Sequence, residues 1–303
     1  MGIFDFNFYG KKLFLFTFKS GFFIFFINQG AWAMAWEPAS FYLGSDGTTQ
    51  ISLPEIVEQI KPGDILVIGE THNISTVAKM QNQVLKALRD KNYLVTVGME
   101  FIDWTQQNEL NLFRQGTLLE ADFLKAINWG GFDFSNYKDQ ILFPMIEKQE
   151  TTLGINAPRF LTSKISKQGF ESLTEDELKM IPSQFSKGNE GYFERFQNLI
   201  GHKMDPLKLE RYFLAQSLWD DTMAQKTLDY VNQNADKVFV IIVGEFHVQY
   251  QGGLPDRLLK RGAKKVWTLS QVGIDQLSDE EIAQLVLPNE YGQRADFIWL
   301  HEQ

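Results

Sequence analysis

The 303-residue chain has no cysteine. That absence excludes disulfides, thiolate metal centres, iron–sulfur clusters, thioether attachment of haem and a diacylglyceryl anchor on cysteine. Histidine is scarce too, with four in the chain: His72, His202, His247 and His301. Glycine and proline are spread thinly, at 23 and 9 residues, and mark no low-complexity linker. Positive charge is in deficit, 29 Lys and Arg against 38 Asp and Glu, for a net charge of -9. A nucleic-acid partner would need a basic stripe, so none is expected. The longest uninterrupted apolar stretch falls well short of the ~20 residues that cross a bilayer, so no stable transmembrane span is expected. The length suits one large domain, or one domain with a lid.

The first 35 residues differ in character from the rest. Lys11 and Lys12 precede Leu13-Phe14-Leu15-Phe16, a second apolar patch occupies 21–27, and small residues alternate through Ala31-Trp32-Ala33-Met34-Ala35. This is the pattern of a signal peptide cleaved after Ala33 or Ala35, although Lys19 interrupts its apolar stretch. Residues 1–35 are therefore expected to direct export, and 36–303 to form the mature domain.

Within that domain one motif occurs twice. Gly69-Glu70-Thr71-His72 closes the apolar run 65–68, and Gly244-Glu245-Phe246-His247 closes 238–243. Both runs are rich in branched residues without polar alternation, which predicts buried parallel strands. Further strands are predicted at 94–97, 152–155 and 265–269. Helices are predicted at 75–89, 106–114, 120–127, 136–150, 206–232 and 255–261. The alternation predicts an α/β fold with a mostly parallel central sheet flanked by helices. The span of about 158–232 has no strand pattern and is expected to form a helical insert or lid.

In open α/β sheets, ligands bind beyond the carboxyl ends of strands. Glu70, His72, Glu100, Glu245 and His247 all fall at such ends, which predicts one shared rim site. Carboxylates and neutral imidazoles suit Zn, Mn or Fe, and Glu70, His72, Glu100 and His247 are the candidate metal ligands. Alternatively a carboxylate of the two motifs, Glu245 or Glu70, serves as a general base. The plainer alternative makes each Glu a helix cap and each His a core hydrogen-bonding group. Asp220, interior to a predicted helix, calls for a partner such as an imidazole or arginine, whereas Asp221 reads as solvent-facing. Arg159 could bind a carboxylate or phosphate. Tyr137 and Tyr250 are candidate phenol ligands or ring contacts, and His202 could close over the rim from the insert.

Several blocks in order resemble one known family. They are Ile68-Gly69-Glu70-Thr71-His72-Asn73, Gly98-Met99-Glu100, Trp129 with Tyr137, Asn156-Ala157-Pro158-Arg159, His202, the run from Ala215 through Trp219-Asp220-Asp221 to Ala224, and the run from Gly244 to Leu258. Together they resemble the ChaN-like haem-binding uptake lipoproteins, a branch of the Tiki/erythromycin-esterase-like superfamily. The resemblance implies an exported protein linked to haem or iron uptake, binding haem at a homodimer interface through tyrosine and histidine. It makes Tyr250 and His202 the first haem candidates, with Tyr137, Trp219 and Arg159 as further contacts. Phe193, Phe196, Tyr212 and Phe213 of the insert could supply an apolar wall. Related superfamily members imply the alternative of a divalent-metal-dependent hydrolase acting on an ester or peptide bond. In that case Glu70, His72, His247 and Glu100 hold the ion and Glu245 is the base. Two departures stand out: Asn73 replaces the usual Asp, and no further histidine follows in 75–79. Lacking cysteine, the chain is expected to be exported, periplasmic and not lipidated on cysteine.

Overall fold

The computed structural model of the chain describes residues 36–200 and 204–302. The signal-peptide-like segment 1–35 and His202 lie outside them. The N-terminal part carries β1 (Phe41–Leu43), β2 (Gln50–Ile51), α1 (Leu53–Gln59), β3 (Ile65–Glu70), α2 (Ser75–Asp90) and β4 (Leu94–Asp103). Next come α3 (Gln107–Arg114), α4 (Glu120–Ala126), α5 (Ser135–Leu142) and β5 (Thr152–Asn156). Four helices follow without an intervening strand: α6 (Arg159–Gln168), α7 (Glu175–Leu178), α8 (Glu190–Ile200) and α9 (Pro206–Val231). The chain then returns to the sheet as β6 (Lys237–Gly244), α10 (Leu254–Lys260), β7 (Val266–Gly273), α11 (Asp279–Val286) and β8 (Phe297–His301).

The eight strands form one sheet in the order β2-β1-β8-β7-β3-β6-β4-β5. Pairing is parallel from β8 to β5, and only β1 and β2 add antiparallel edges. The centre is β3 beside β6, where every residue of both strands is buried. That burial on both faces is why neither strand shows a polar alternation. One face packs on α2 and α5 through Leu66, Ile68, Val240 and Ile242. The other packs on α9 and α10 through Val67, Ile241, Val243 and Met223.

The α/β expectation holds, and its boundaries move in ways that matter for the rim. β3 and β4 run past the predicted ends, so Glu70 and Glu100 are strand residues. β4 departs from regular pairing between Met99 and Asp103, where four steps along β4 match two along β5. Glu100 lies inside this bulge, a device that re-aims a side chain. The predicted helix 136–150 stops at Leu142, and Pro144 lies just beyond, unable to continue an α-helical ladder. The short strands β1, β2 and β8 were not expected. Asp221 is buried rather than solvent-facing, because Arg261 holds both its oxygens at 2.6 and 2.7 Å.

At the β5 edge the Gln107 amide substitutes for a neighbouring strand. It donates to Thr152 O at 2.9 Å and accepts from Gly154 N at 3.0 Å. Removing it leaves two ladder groups without that partner on an open edge. Gln107→Ala is expected to cost about 1 kcal/mol and lower the Tm by about 2–4 °C. Calorimetry checks this, and an unchanged Tm would show that water replaces the amide fully.

Candidate functional site at the carboxyl edge of the sheet

The two Gly-Glu-x-His copies meet, but out of step. β3 and β6 pair so that Gly69 faces Val243 and Glu70 faces Gly244. The glutamates therefore do not occupy equivalent places. Glu70 points to the α2 and α5 face, while Glu245 lies against Gly69 on the other. Each glycine makes room for the other copy. A Cβ on Gly69 would come 2.2 Å from Glu245 Oε2, and one on Gly244 would come 2.8 Å from His72 Cε1 and 3.0 Å from its Nε2.

On the first face Glu70 is the organiser. Its Oε1 accepts from Tyr137 Oη at 2.9 Å and meets His72 Nδ1 at 3.0 Å, and its Oε2 accepts from Gln81 at 2.5 Å. Gln81 is linked in turn to Gln140 and Gln271. With Nδ1 held, His72 presents Nε2 toward Gly244 at the rim, and its ring packs on Phe101 and Phe132. Trp129 supports Phe101 and Tyr137 from behind. Burial disfavours the His72 cation, but the bond to Glu70 and the charges of Glu100 and Glu70 outweigh it, so its pKa is raised. Burial and the Glu70 charge keep Tyr137 a neutral phenol. Asn73 explains its own departure from the usual Asp. It sits at φ 64, a left-handed conformation that Asn tolerates. Its side-chain oxygen accepts from Asp133 N at 2.8 Å, the acceptor role a carboxylate would fill.

On the other face His247 is clamped between two carboxylates. Its Nδ1 lies 2.6 Å from Asp220 Oδ1 and its Nε2 lies 3.3 Å from Glu100 Oε1. Tyr192 donates to Asp220 Oδ2 at 2.9 Å, and the Gln216 amide donates to Tyr192 Oη at 3.0 Å. Gly244 N donates to Glu100 Oε2 at 2.6 Å, and Asn156 fixes the Glu100 carbonyl at 2.9 Å. Burial disfavours the His247 cation, yet the fields of Asp220 and Glu100 dominate and raise its pKa to about 10. Burial also disfavours the Glu100 anion, but His247, His72 and the Gly244 amide hold it down at about 2. Asp220 thus has the imidazole partner its place in a helix required. Gln81, Gln216 and Tyr192 were missed by sequence reasoning. Their signal was a polar group on an otherwise apolar helix face.

The remaining candidates separate from this pair of clusters. Glu245 Oε1 takes Ser270 at 2.5 Å and Arg294 at 3.0 Å, and burial raises its pKa despite the arginine. Trp219 packs edge-on to His247 with centroids 6.4 Å apart. Arg159 is exposed at the start of α6, beside Gly130. Phe196 and Phe213 are buried in the small core around α8 and α9, with Phe193 and Tyr212 packed at its margin. Tyr250 lies elsewhere on the motif loop, next to Tyr291, with its Oη accepting from Asn289 at 3.1 Å. Among the described residues no group of three or more His, Asp or Glu side chains is arranged to hold a metal ion.

The charges fix a sign for pH dependence. His247, raised from 6.5 to about 10, contributes stability in full below 6.5 and loses it as pH rises through about 10. Glu100, lowered from 4.5 to about 2, contributes above 4.5 and loses it as pH falls through about 2. A histidine NMR titration is expected to show His247 still protonated at pH 8. Asp220→Asn should bring its titration down toward neutrality and cost up to about 3–5 kcal/mol of stability, as for a broken buried pair. A neutral His247 at pH 8 in the unsubstituted protein would contradict this assignment.

Comparison with known proteins places this architecture. ChaN of Campylobacter jejuni, whose structure shows cofacial haem binding, superposes with a TM-score of 0.61 at 18% identity, covering 86% of this chain and 96% of its own. At that identity the likeness establishes the shared fold. An erythromycin esterase, EreC, in its open conformation aligns at a TM-score of 0.42 and 11% identity over 69% of this chain and 70% of its own. No curated protein matches the sequence. A family model described as haem-binding uptake, Tiki superfamily, ChaN matches residues 56–258, more than half of the chain. By that match the chain belongs to the ChaN haem-binding uptake family of the Tiki superfamily.

Proposed function

We propose that the protein binds haem through Tyr250 and serves haem or iron uptake in the cell envelope. Family membership supports the ligand class, and the presentation of Tyr250 is the observation that carries the residue assignment. Tyr250 and Gln251 are two successive non-glycine residues in the left-handed region, at φ 55 and 58. Each such residue costs about 1–3 kcal/mol, and such strain gathers at ligand sites. The loop is held in place by Tyr250 N donating to Arg294 O at 2.8 Å. Its phenol oxygen takes one hydrogen bond among the described residues, from the Asn289 amide, and is free of any carboxylate. A phenol so placed fits haem, because tyrosine oxygen is an established type of axial ligand.

The chain's own work would be to present Tyr250 and hold the face of the ligand against the Tyr250 loop. Bound haem would supply the iron that the phenol oxygen ligates. His202 is the second proposed ligand. Export and assembly as a homodimer belong to the same reading.

A second reading, hydrolysis at the rim, is favoured by the His72–Glu70 pair. The carboxylate on Nδ1 fixes the tautomer that leaves Nε2 as the base, the geometry of an oriented general base. In that reading the base is His72 or Glu245, whose Oε1 is tied to Ser270 and Arg294 while its Oε2 takes no hydrogen bond among the described residues.

Haemin titration of the exported form followed by absorbance tests the first reading. A saturable Soret shift is expected, weakened about tenfold or more by Tyr250→Phe, and by His202→Ala if that residue is the second ligand. An unperturbed shift in Tyr250→Phe would remove Tyr250 from the site. An ester-substrate screen that detects turnover lost in His72→Ala would favour the second reading.

A further inference from the structure

Away from the rim, two hollows adjoin along the β5 edge of the sheet, and no residue of the two Gly-Glu-x-His motifs lines either one. The larger, of about 290 Å³, is walled by Leu153 of β5 and by Tyr230 near the end of α9. The smaller, of about 110 Å³, takes in Lys179 just after α7 and Gln225 of α9. Trp104, just beyond β4, and Lys226 line both and so form the step between them. Lys226 is half-buried, with its ammonium 4.3 Å from the centre of the Trp104 ring. Among the described residues it has no carboxylate partner. Cation–π contact offsets part of its lost hydration but neutralises no charge. Trp104 Nε1 and Thr222 Oγ1 are sealed behind the wall, whereas the Lys226 ammonium keeps open surface. Lys179, the second cation, is tied to Asp176 only by an exposed pair, an interaction of little strength.

We propose that the paired hollows bind a small amphipathic carboxylate, with its charged end at Lys226 and its apolar body along Leu153. Charge selects the head group. On a chain of net charge -9, the smaller hollow is lined by two lysines and no acid, and the Gln225 amide adds a neutral donor beside them. Asp229 sets the direction. It lines the larger hollow, is exposed and makes no ion pair among the described residues, so it would repel an anion placed there. That end suits an apolar body instead, against Leu153, Tyr230 and Trp104. Size limits the body to one or two rings or a short chain, since the two hollows together reach only the lower end of the range for small-molecule sites, roughly 300–1,000 Å³. The site is separate from Tyr250 and from the His72–Glu70 pair, so it stands whichever reading of those holds.

The experiment titrates the haem-free exported form calorimetrically with 2-naphthoate and with 2-naphthamide, its uncharged counterpart. Saturable binding of one naphthoate per chain is expected, with the amide about tenfold weaker or more. Lys226→Met should weaken naphthoate about tenfold or more and leave the amide within about twofold. Lys226→Gln makes the same test if the Met variant does not fold. Lys226→Arg keeps the charge and should retain naphthoate within about threefold. The Trp104 indole proton, followed by NMR, should shift in step with naphthoate binding. Absence of saturable naphthoate binding would overturn the site. So would equal affinity for acid and amide, or a naphthoate affinity unchanged in the folded Met or Gln variant. Haemin affinity should be the same in Lys226→Met as in the unsubstituted protein, so this site and the haem reading fail separately.

Discussion

The rim depends on a register: β3 and β6 pair one residue out of step with the motifs they carry. Had the two glycines faced each other, both glutamates would have emerged on one face, two buried like charges side by side. With Glu70 opposite Gly244, the carboxylates are sent to opposite faces and each glycine opens a seat for a side chain of the other copy. The same offset lets Gly244 contribute its amide to Glu100 while His72 approaches its α-carbon. A side-chain period of two makes such a register unforgiving, since slipping by one residue would exchange the faces. The core on both sides of β3 and β6 holds it in place.

From that register two polar clusters follow, unlike in character. Around Glu70 the chain builds a neutral network of a phenol and three amides that orients one imidazole and leaves its outer nitrogen at the rim. Around His247 it builds an ion triad, with a cation clamped between Asp220 and Glu100. Buried ions of this kind are weak sources of net stability, since desolvation offsets much of the attraction. Their effect is positional: they fix the Glu100 bulge, the motif loop and the docking of α9 on the sheet. The turn at Tyr250 and Gln251, both in the left-handed region, lies on the same motif loop.

Much of this was legible in the residues. The apolar runs without alternation marked β3 and β6 as central parallel strands, and Asp220 inside a helix announced a buried partner. Glu70, His72, Glu100 and His247 do gather at one sheet edge. Strand register was invisible, because two identical motifs suggest equivalent places and nothing local encodes a one-residue offset. The strands β1 and β2, three and two residues long, are too short to show a period. Asp221 misled because a helical aspartate has two common fates, and the difference lay in Arg261, 40 residues away in sequence.

The reciprocal seating of the two motifs is tested most directly by following the histidine ring resonances of Gly244→Ala as pH is varied. The added methyl should push His72 away from the Glu70–Glu100 field, so that its titration falls toward the ordinary 6.5. His247 should remain the more basic imidazole, because Asp220 still holds it. A His72 titration identical to that of the unsubstituted protein would contradict the account.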